Sequence, residues 1–188
     1  MSITTEFLRR PLMTGAVAAS SRRLAHAMTE DIGLERAGLV VELGPGTGVF
    51  TDEILARLAP GARLVAVELN PVLAERLSAT RSDTRLTVVR DSAAELAAAV
   101  GEPADAVVSG LPWTVMPRER RGQILDAVTE VLAPGGRFTT FAYLHAAWTL
   151  TARHFTAELA HRFDRLERSP VVWPNLPPAF VHRATRKP

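Results

Sequence analysis

Two rhythms of apolar and polar positions alternate along this chain, and the switches between them mark its elements. Short aliphatic and β-branched runs fall at Leu39–Leu43, Arg63–Glu68, Leu86–Arg90, Ala106–Ser109 and Arg137–Tyr143, as buried strands require. Between them helical spacing predicts helices over Val49–Leu58, Pro71–Ala79, Ser92–Val100 and Arg118–Leu132, the last ended by Pro134-Gly135-Gly136, and a further helix over about Ala147–Leu159. Ahead of all these, Val17–Met28 places apolar residues at Val17, Leu24, Ala27 and Met28 around Ser20–Arg23, a short amphipathic helix. Strands separated by helices need crossover connections, and right-handed crossovers give a parallel sheet covered on both faces, a doubly wound α/β sandwich. After the last helix, Arg162–Leu166 and Ala179–Ala184 are two more strand candidates. Pro170, Pro174, Pro177 and Pro178 separate them with no helix between, which predicts a closing antiparallel hairpin.

Composition sets bounds on this picture. At 188 residues, 47% hydrophobic and 22% charged, the chain suits one domain with a sizeable core. Residues 1–30 read as an N-terminal amphipathic segment, serving as a lid or a membrane contact, and residues 31–188 as the main domain. The chain has no cysteine, which excludes disulfides, thiolate metal sites and cysteine nucleophiles. Its five histidines, at 26, 145, 154, 161 and 182, are dispersed, so no metal is expected. No apolar run approaches the ~18 residues of a membrane span, and the amino terminus lacks a basic region followed by an apolar one. The expected location is therefore cytoplasmic, with any membrane contact peripheral at the inner face. The net charge of +2 is unevenly spread: residues 1–30 carry four Arg against Glu6 and Glu30, and residues 153–188 carry seven Arg or Lys against three acids. Basic ends folded onto one face would suit phosphate groups.

The segment richest in chemistry is Val40-Val41-Glu42-Leu43-Gly44-Pro45-Gly46-Thr47-Gly48-Val49, a buried strand entering a glycine turn that opens a helix. Such a turn lets the backbone approach a nucleotide-type ligand closely. The spacing is G-x-G-x-G, and Val49 stands where a dinucleotide fingerprint wants its last glycine. Glu42 would oppose a pyrophosphate but suits a nucleoside carrying a cationic sulfonium or amino group, so S-adenosylmethionine fits better. Glu68, ending the second strand, is placed to accept from ribose hydroxyls. Asp91 ends the third strand and can accept from an adenine amino group, with Leu69 and Ser92 flanking the ring. Ser92-Ala93-Ala94-Glu95 also matches a capping box.

This combination, from about Gly38 to the end, resembles the class I S-adenosylmethionine-dependent methyltransferases. The resemblance implies a Rossmann-like, mostly parallel seven-stranded sheet with an antiparallel last strand, and a cofactor site of Glu42, Gly44, Gly46, Thr47, Gly48, Glu68, Leu69, Asp91, Ser92 and Ser109. A second motif, Ser109-Gly110-Leu111-Pro112-Trp113 after the fourth strand, looks like the N-L-P-Y loop of amine methyltransferases, including the adenine dimethyltransferases of ribosomal RNA, with Ser109-Gly110 in place of the Asn. Together with Gly15–Arg22 and Asn175-Leu176-Pro177-Pro178-Ala179, it resembles the bacterial phospholipid N-methyltransferases. Those enzymes methylate phosphatidylethanolamine and bind membranes through an amino-terminal amphipathic helix, here residues 7–28, with Arg9, Arg10, Arg22 and Arg23 facing anionic lipid.

Two departures from that family touch the acceptor. Trp113 replaces an expected aliphatic residue, and Phe141-Ala142-Tyr143-Leu144-His145 replaces an aromatic-Gly-Pro turn. Trp113 and Tyr143 would form an aromatic wall for a methylammonium or flat substrate. Ser109 and the Leu111 carbonyl would orient the amine, and Tyr143 or His145 would take its proton. The competing acceptors are a small amine or indole-like molecule and ribosomal RNA adenine. A non-catalytic, membrane-associated cofactor-binding protein is the remaining alternative.

Overall fold

A computed structural model describes residues 21–188. The first helix, α1 (Arg22–Thr29), is capped by Ser21, whose hydroxyl accepts from Leu24 N–H at 3.1 Å. Residues 17–20 of the expected helix, and Arg9 and Arg10 with them, lie outside the described residues. There follow β1 (Leu39–Leu43), α2 (Val49–Arg57), β2 (Arg63–Val67), α3 (Pro71–Thr80), β3 (Leu86–Val89), α4 (Leu96–Val100), β4 (Ala104–Ser109), α5 (Arg118–Val131), β5 (Leu132–Tyr143), α6 (Leu150–Arg162), β6 (Arg165–Arg168) and β7 (Ala179–Thr185).

The seven strands form one sheet in the order β3-β2-β1-β4-β5-β7-β6. Strands β1 to β5 run parallel, β7 is antiparallel to β5, and β6 pairs antiparallel with β7. The doubly wound sandwich is therefore present, and the tail forms the expected hairpin with β7 inserted beside β5. One core lies under α5 and α6, around Trp113, Phe138, Phe155 and Leu125. The other lies under α1 and α2, around Leu24, Met28, Ile54 and Val40.

Several boundaries differ from the sequence reading. The expected helix Ser92–Val100 is a 3-10 turn, Ala93–Glu95, followed by the short α4. The helix expected from Ala147 begins at Leu150, because the Thr149 hydroxyl caps it by accepting from Ala152 N–H at 3.2 Å. Strand β5 starts at Leu132 rather than Arg137; Pro134-Gly135-Gly136 does not end the helix but lies within the strand, at a register shift against Ala104 and Ala106. The strand expected over Arg162–Leu166 sits at Arg165–Arg168, since α6 runs on to Arg162.

Helix α1 is integral to the main fold. Leu24, Ala25 and Met28 are buried, and each large apolar side chain so buried contributes roughly 1.5–3 kcal/mol. Thr139 donates to the Met28 carbonyl at 2.9 Å, and Arg183 donates to the Ala27 carbonyl at 2.9 Å while pairing with Glu30 at 3.1 Å. The apolar face of residues 22–29 therefore packs on the sheet; the rest of the expected amino-terminal segment lies outside the described residues. On the opposite face, Arg121 is 2% exposed and forks onto Glu158 through two bonds of 2.8 Å, tying α5 to α6. No helix among the described residues is long and apolar enough to cross a membrane.

Candidate functional site

The strand order reverses between β1 and β4, and open parallel sheets bind ligands outside the carboxyl ends at such a point. Register fixes what meets there: Leu43 lies beside Val67 on one side and Ser109 on the other. The loops that leave these strands stay paired, Gly44 N–H donating to the Val67 carbonyl at 3.0 Å and Gly110 N–H to the Leu43 carbonyl at 2.8 Å.

Steric exclusion shapes the glycine turn. Gly44 and Gly48 have φ of +67° and +86°, a region that side chains with a Cβ adopt only with strain. A Cβ on Gly44 would lie 2.8 Å from Leu111 Cδ2, and one on Gly48 would lie 2.3 Å from Arg81 Nη2. Arg81 is itself held by Asp52 at 2.6 and 3.0 Å and donates to the Thr47 carbonyl at 3.0 Å, clamping the turn to α2. Gly110 closes from the other side, where a Cβ would come within 2.8 Å of the Gly44 carbonyl oxygen. Over Gly46 the space is open.

Two buried carboxylates flank this turn. Glu42 has no exposure; Oε2 accepts from the Thr51 hydroxyl at 2.6 Å, while Oε1 is buried without a hydrogen-bond partner. Desolvation dominates over the Thr51 bond and pushes its pKa up to about 8. Glu68 is also raised by burial, partly offset by Asn70 N–H at 2.9 Å and Gly46 N–H at 3.2 Å. Glu68 thus bridges the end of β2 to the glycine turn. Each of its oxygens has further accepting capacity. Asp91 accepts from Ser92 N–H at 2.6 Å, and Ser92 accepts from Ala94 N–H at 3.1 Å and from Arg120, so Ser92 caps the 3-10 turn while its own N–H goes to Asp91 rather than to Glu95 of the expected capping box.

The β4 loop is pinned by its own backbone. The buried Ser109 hydroxyl accepts from Leu111 N–H at 3.3 Å, and the Leu111 carbonyl accepts from Trp113 N–H at 3.0 Å. Trp113, expected on the acceptor wall, is instead 2% exposed in the core, stacked on Phe155 at 5.2 Å and edge-on to Phe138 at 6.1 Å.

Tyr143 and His145, both expected near the acceptor, are joined in a row by Phe50 and Phe141, to which the sequence reading gave no role. Phe50 of α2 is edge-on to Phe141 at 6.0 Å, Phe141 to Tyr143 at 5.4 Å, and Tyr143 stacks on His145 at 5.7 Å. A Cβ on Gly110 would touch the Phe50 ring at 3.4 Å, so the row starts beside the Gly44–Gly110 junction and ends at the exposed His145. Alternation along β5 puts Phe141 and Tyr143 on one face. Phe50 had no signal beyond its place in the first turn of α2. Tyr143 is half-buried, and burial raises its phenol pKa.

Comparison with known proteins decides the class. A family described as "Methyltransferase domain" matches residues 40–136. The chain is 32% identical over 182 residues to an ornithine lipid N-methyltransferase of Singulisphaera acidiphila, covering 94% of this chain and 91% of that protein. The chain belongs to the S-adenosylmethionine-dependent methyltransferases. This methyltransferase is also 34% identical over 151 residues to ribosomal RNA small subunit methyltransferase A of Kineococcus radiotolerans, covering 70% of this chain and about half, 47%, of that relative. Its fold is like that of an S-adenosylmethionine-dependent O-methyltransferase from Thermotoga maritima, with a TM-score of 0.71 at 16% identity over 97% of this chain and 71% of the other. It is also like the N-methyltransferase NodS from Bradyrhizobium japonicum in complex with S-adenosyl-L-homocysteine, with a TM-score of 0.68 at 15% identity over 88% and 85%. The residues present fit S-adenosylmethionine: a buried carboxylate oxygen without a partner, a bare glycine backbone with open space over Gly46, and a second carboxylate beside it.

Proposed function

We propose that this methyltransferase acts on the primary amine of a membrane-lipid head group, with phosphatidylethanolamine as the first candidate. The observation that carries this reading is the row Phe50, Phe141, Tyr143 and His145, which leads outward from the glycine turn. The similarity to an ornithine lipid N-methyltransferase supports it.

Bound S-adenosylmethionine supplies an electrophilic methyl group on a cationic sulfur. Glu42 would face the donor's charged end, and Glu68 would accept from its ribose hydroxyls. Leu69, Asp91 and Ser92 would flank the adenine, while Gly44, Gly46, Thr47, Gly48 and Ser109 would shape the cradle. A primary alkyl ammonium has a pKa near that of lysine, about 10.4, and has no lone pair to attack with until a proton leaves. Aromatic surroundings lower that pKa by desolvating the charge, and ring faces hold the ammonium that each transfer regenerates. Tyr143, kept a neutral phenol by burial, offers its oxygen as an acceptor to an amine N–H. His145, stacked on it and exposed, takes the proton onward to solvent, and Ser109 with the Leu111 carbonyl completes the orientation.

The test is methyl transfer from isotopically labelled S-adenosylmethionine into phosphatidylethanolamine vesicles, ribosomal RNA, and a mixture of small amines and indoles, run in parallel and read by mass spectrometry. Label is expected in the lipid. Label confined to RNA or to the small molecules would transfer the reading to that acceptor.

A further inference from the structure

All six large apolar side chains exposed among the described residues, Val72, Val115, Trp148, Leu150, Trp173 and Leu176, lie at the carboxyl end of the parallel strands. Val72 follows β2, Val115 follows β4, and Trp148 and Leu150 follow β5. Trp173 and Leu176 belong to the β6–β7 loop, which is at the same end because β7 starts at Ala179 opposite Tyr143. Trp148, Trp173 and Leu176 are 82%, 66% and 77% exposed. Two hydrogen bonds hold their loops side by side with α1: Leu144 N–H to the Pro178 carbonyl at 2.8 Å, and Ser21 N–H to Asn175 Oδ1 at 2.9 Å. Asn175 is itself 2% exposed, and its amide donates to the Pro177 carbonyl at 2.7 Å.

At this end the segments around Trp148, Trp173 and Leu176 are free of acids, whereas Glu75 in the helix of Val72, Glu95 and Glu119 lie outside them. Residues 21–24, 112–118, 144–154 and 169–178 contain no Asp or Glu, and they carry Arg22, Arg23, Arg118 and Arg153, all exposed. Arg118 pairs with Glu158 at 3.7 Å and is followed by Glu119. The opposite end of the sheet carries acids and arginines together, Arg63 pairing with Glu102 and Arg85 with Asp83 at 2.7 Å, and no exposed large apolar side chain among the described residues.

We propose that this rim, centred on Trp148, Trp173 and Leu176 and flanked by Arg22, Arg23 and Arg153, is the surface by which the protein docks on an anionic lipid bilayer. Tryptophan favours the level of the head groups, where its ring is buried and its N–H stays wet. Exposed arginines add attraction to anionic lipid. Docked in this way, the end of the Phe50–His145 row faces the head groups, so a lipid amine enters without its chains leaving the bilayer. The inference rests on the aminolipid reading for that purpose. It places a bilayer contact on the rim, while the apolar face of α1 is packed on the sheet.

The experiment uses the full chain with vesicles of phosphatidylcholine alone and of phosphatidylcholine doped with phosphatidylglycerol, read by co-sedimentation and tryptophan emission. Trp113 is buried, so a blue shift on adding vesicles reports Trp148 and Trp173. The doped vesicles are expected to bind the protein, with binding weakened by salt. Trp148→Ser with Trp173→Ser should lower partitioning by about tenfold or more while leaving the thermal midpoint unchanged. Absence of binding, or undiminished binding by the double variant, would overturn the proposal. A second arm measures turnover on a short-chain phosphatidylethanolamine kept monomeric, which the double variant should methylate like the wild type. If the wild type methylates no lipid amine in either form, the aminolipid reading fails whatever the vesicles show. If turnover is intact and vesicle binding is indifferent to both tryptophans, only the rim fails.

Discussion

The proposed donor half and the proposed acceptor half of this site are built by opposite means. On the donor side, between β1, β2 and α2, backbone geometry does the shaping: glycines at positive φ, carboxylates buried at strand ends, and an Arg81–Asp52 clamp behind the turn. On the acceptor side, between β4, β5 and β7, side-chain surfaces do it: a row of rings inside and exposed tryptophans outside. A donor common to many enzymes can be held by main-chain groups that accept few substitutions. An acceptor that differs between enzymes is read by side chains that are free to change, so one half predicts chemistry and the other predicts specificity.

The sharpest way to break this contrast is to give the donor turn a side chain. Gly48→Ala combines a Cβ at φ of +86° with contacts at 2.3 Å to Arg81 and 2.8 Å to Leu77. The cost is roughly 1–2 kcal/mol for the left-handed backbone, with a comparable amount for the displaced clamp. S-adenosylmethionine binding measured by calorimetry should weaken by about a hundredfold, with a lowered thermal midpoint. Unchanged affinity would mean that the turn does not need its present shape.

The next effect separates charge from shape at Glu42. Its pKa in the fold is about 8 against an ordinary 4.5, so the folded protein binds more protons than the unfolded chain between those values. Stability contributed by this group is therefore full below 4.5 and lost as pH rises through about 8. Glu42→Gln, neutral throughout, should unfold at a higher temperature than the wild type above pH 8 and lose that slope. A cation brought beside the carboxyl favours its ionised form. Binding of S-adenosylmethionine near neutral pH should then release a proton in the wild type and none in the variant, as seen by calorimetry in buffers of different ionisation enthalpy, and affinity should fall about tenfold. Equal proton release in both proteins would remove Glu42 from the donor's charged end.

The same contrast explains what the sequence disclosed. Strands β1 and β2 are continuous aliphatic runs, and Gly44, Gly46 and Gly48 stand in one short stretch, so pattern and motif coincide with the donor site. Thr51 and Arg81 were not legible, because their meetings with Glu42 and Asp52 depend on how α2 and α3 pack on the sheet. On the acceptor side, Trp113 was read as wall and lies in the core, while Phe50 and Phe141, from different elements, form the row. Nothing local in the chain says which face of β5 the rings will share with α2. Even the start of β5 was misplaced, since Pro134-Gly135-Gly136 reads as a stop yet is absorbed at a register shift.

The smallest expected effect sharpens the acceptor side. If Tyr143 and His145 act on the incoming amine and the donor half is independent of them, their loss should lower turnover alone. Tyr143→Phe keeps the ring stack with Phe141 and His145 and removes one acceptor oxygen, a change of about tenfold in kcat. His145→Ala removes the proton path and should lower kcat by about tenfold to a hundredfold, with the loss smaller at high pH, where more of the amine is already deprotonated. Donor affinity should not move in either variant, because no hydrogen bond joins the Phe141–His145 segment to Glu42, Glu68 or the glycine turn among the described residues. Donor affinity that fell along with turnover would show the two halves to be coupled, with Phe50, in the first turn of α2 and edge-on to Phe141, as the link.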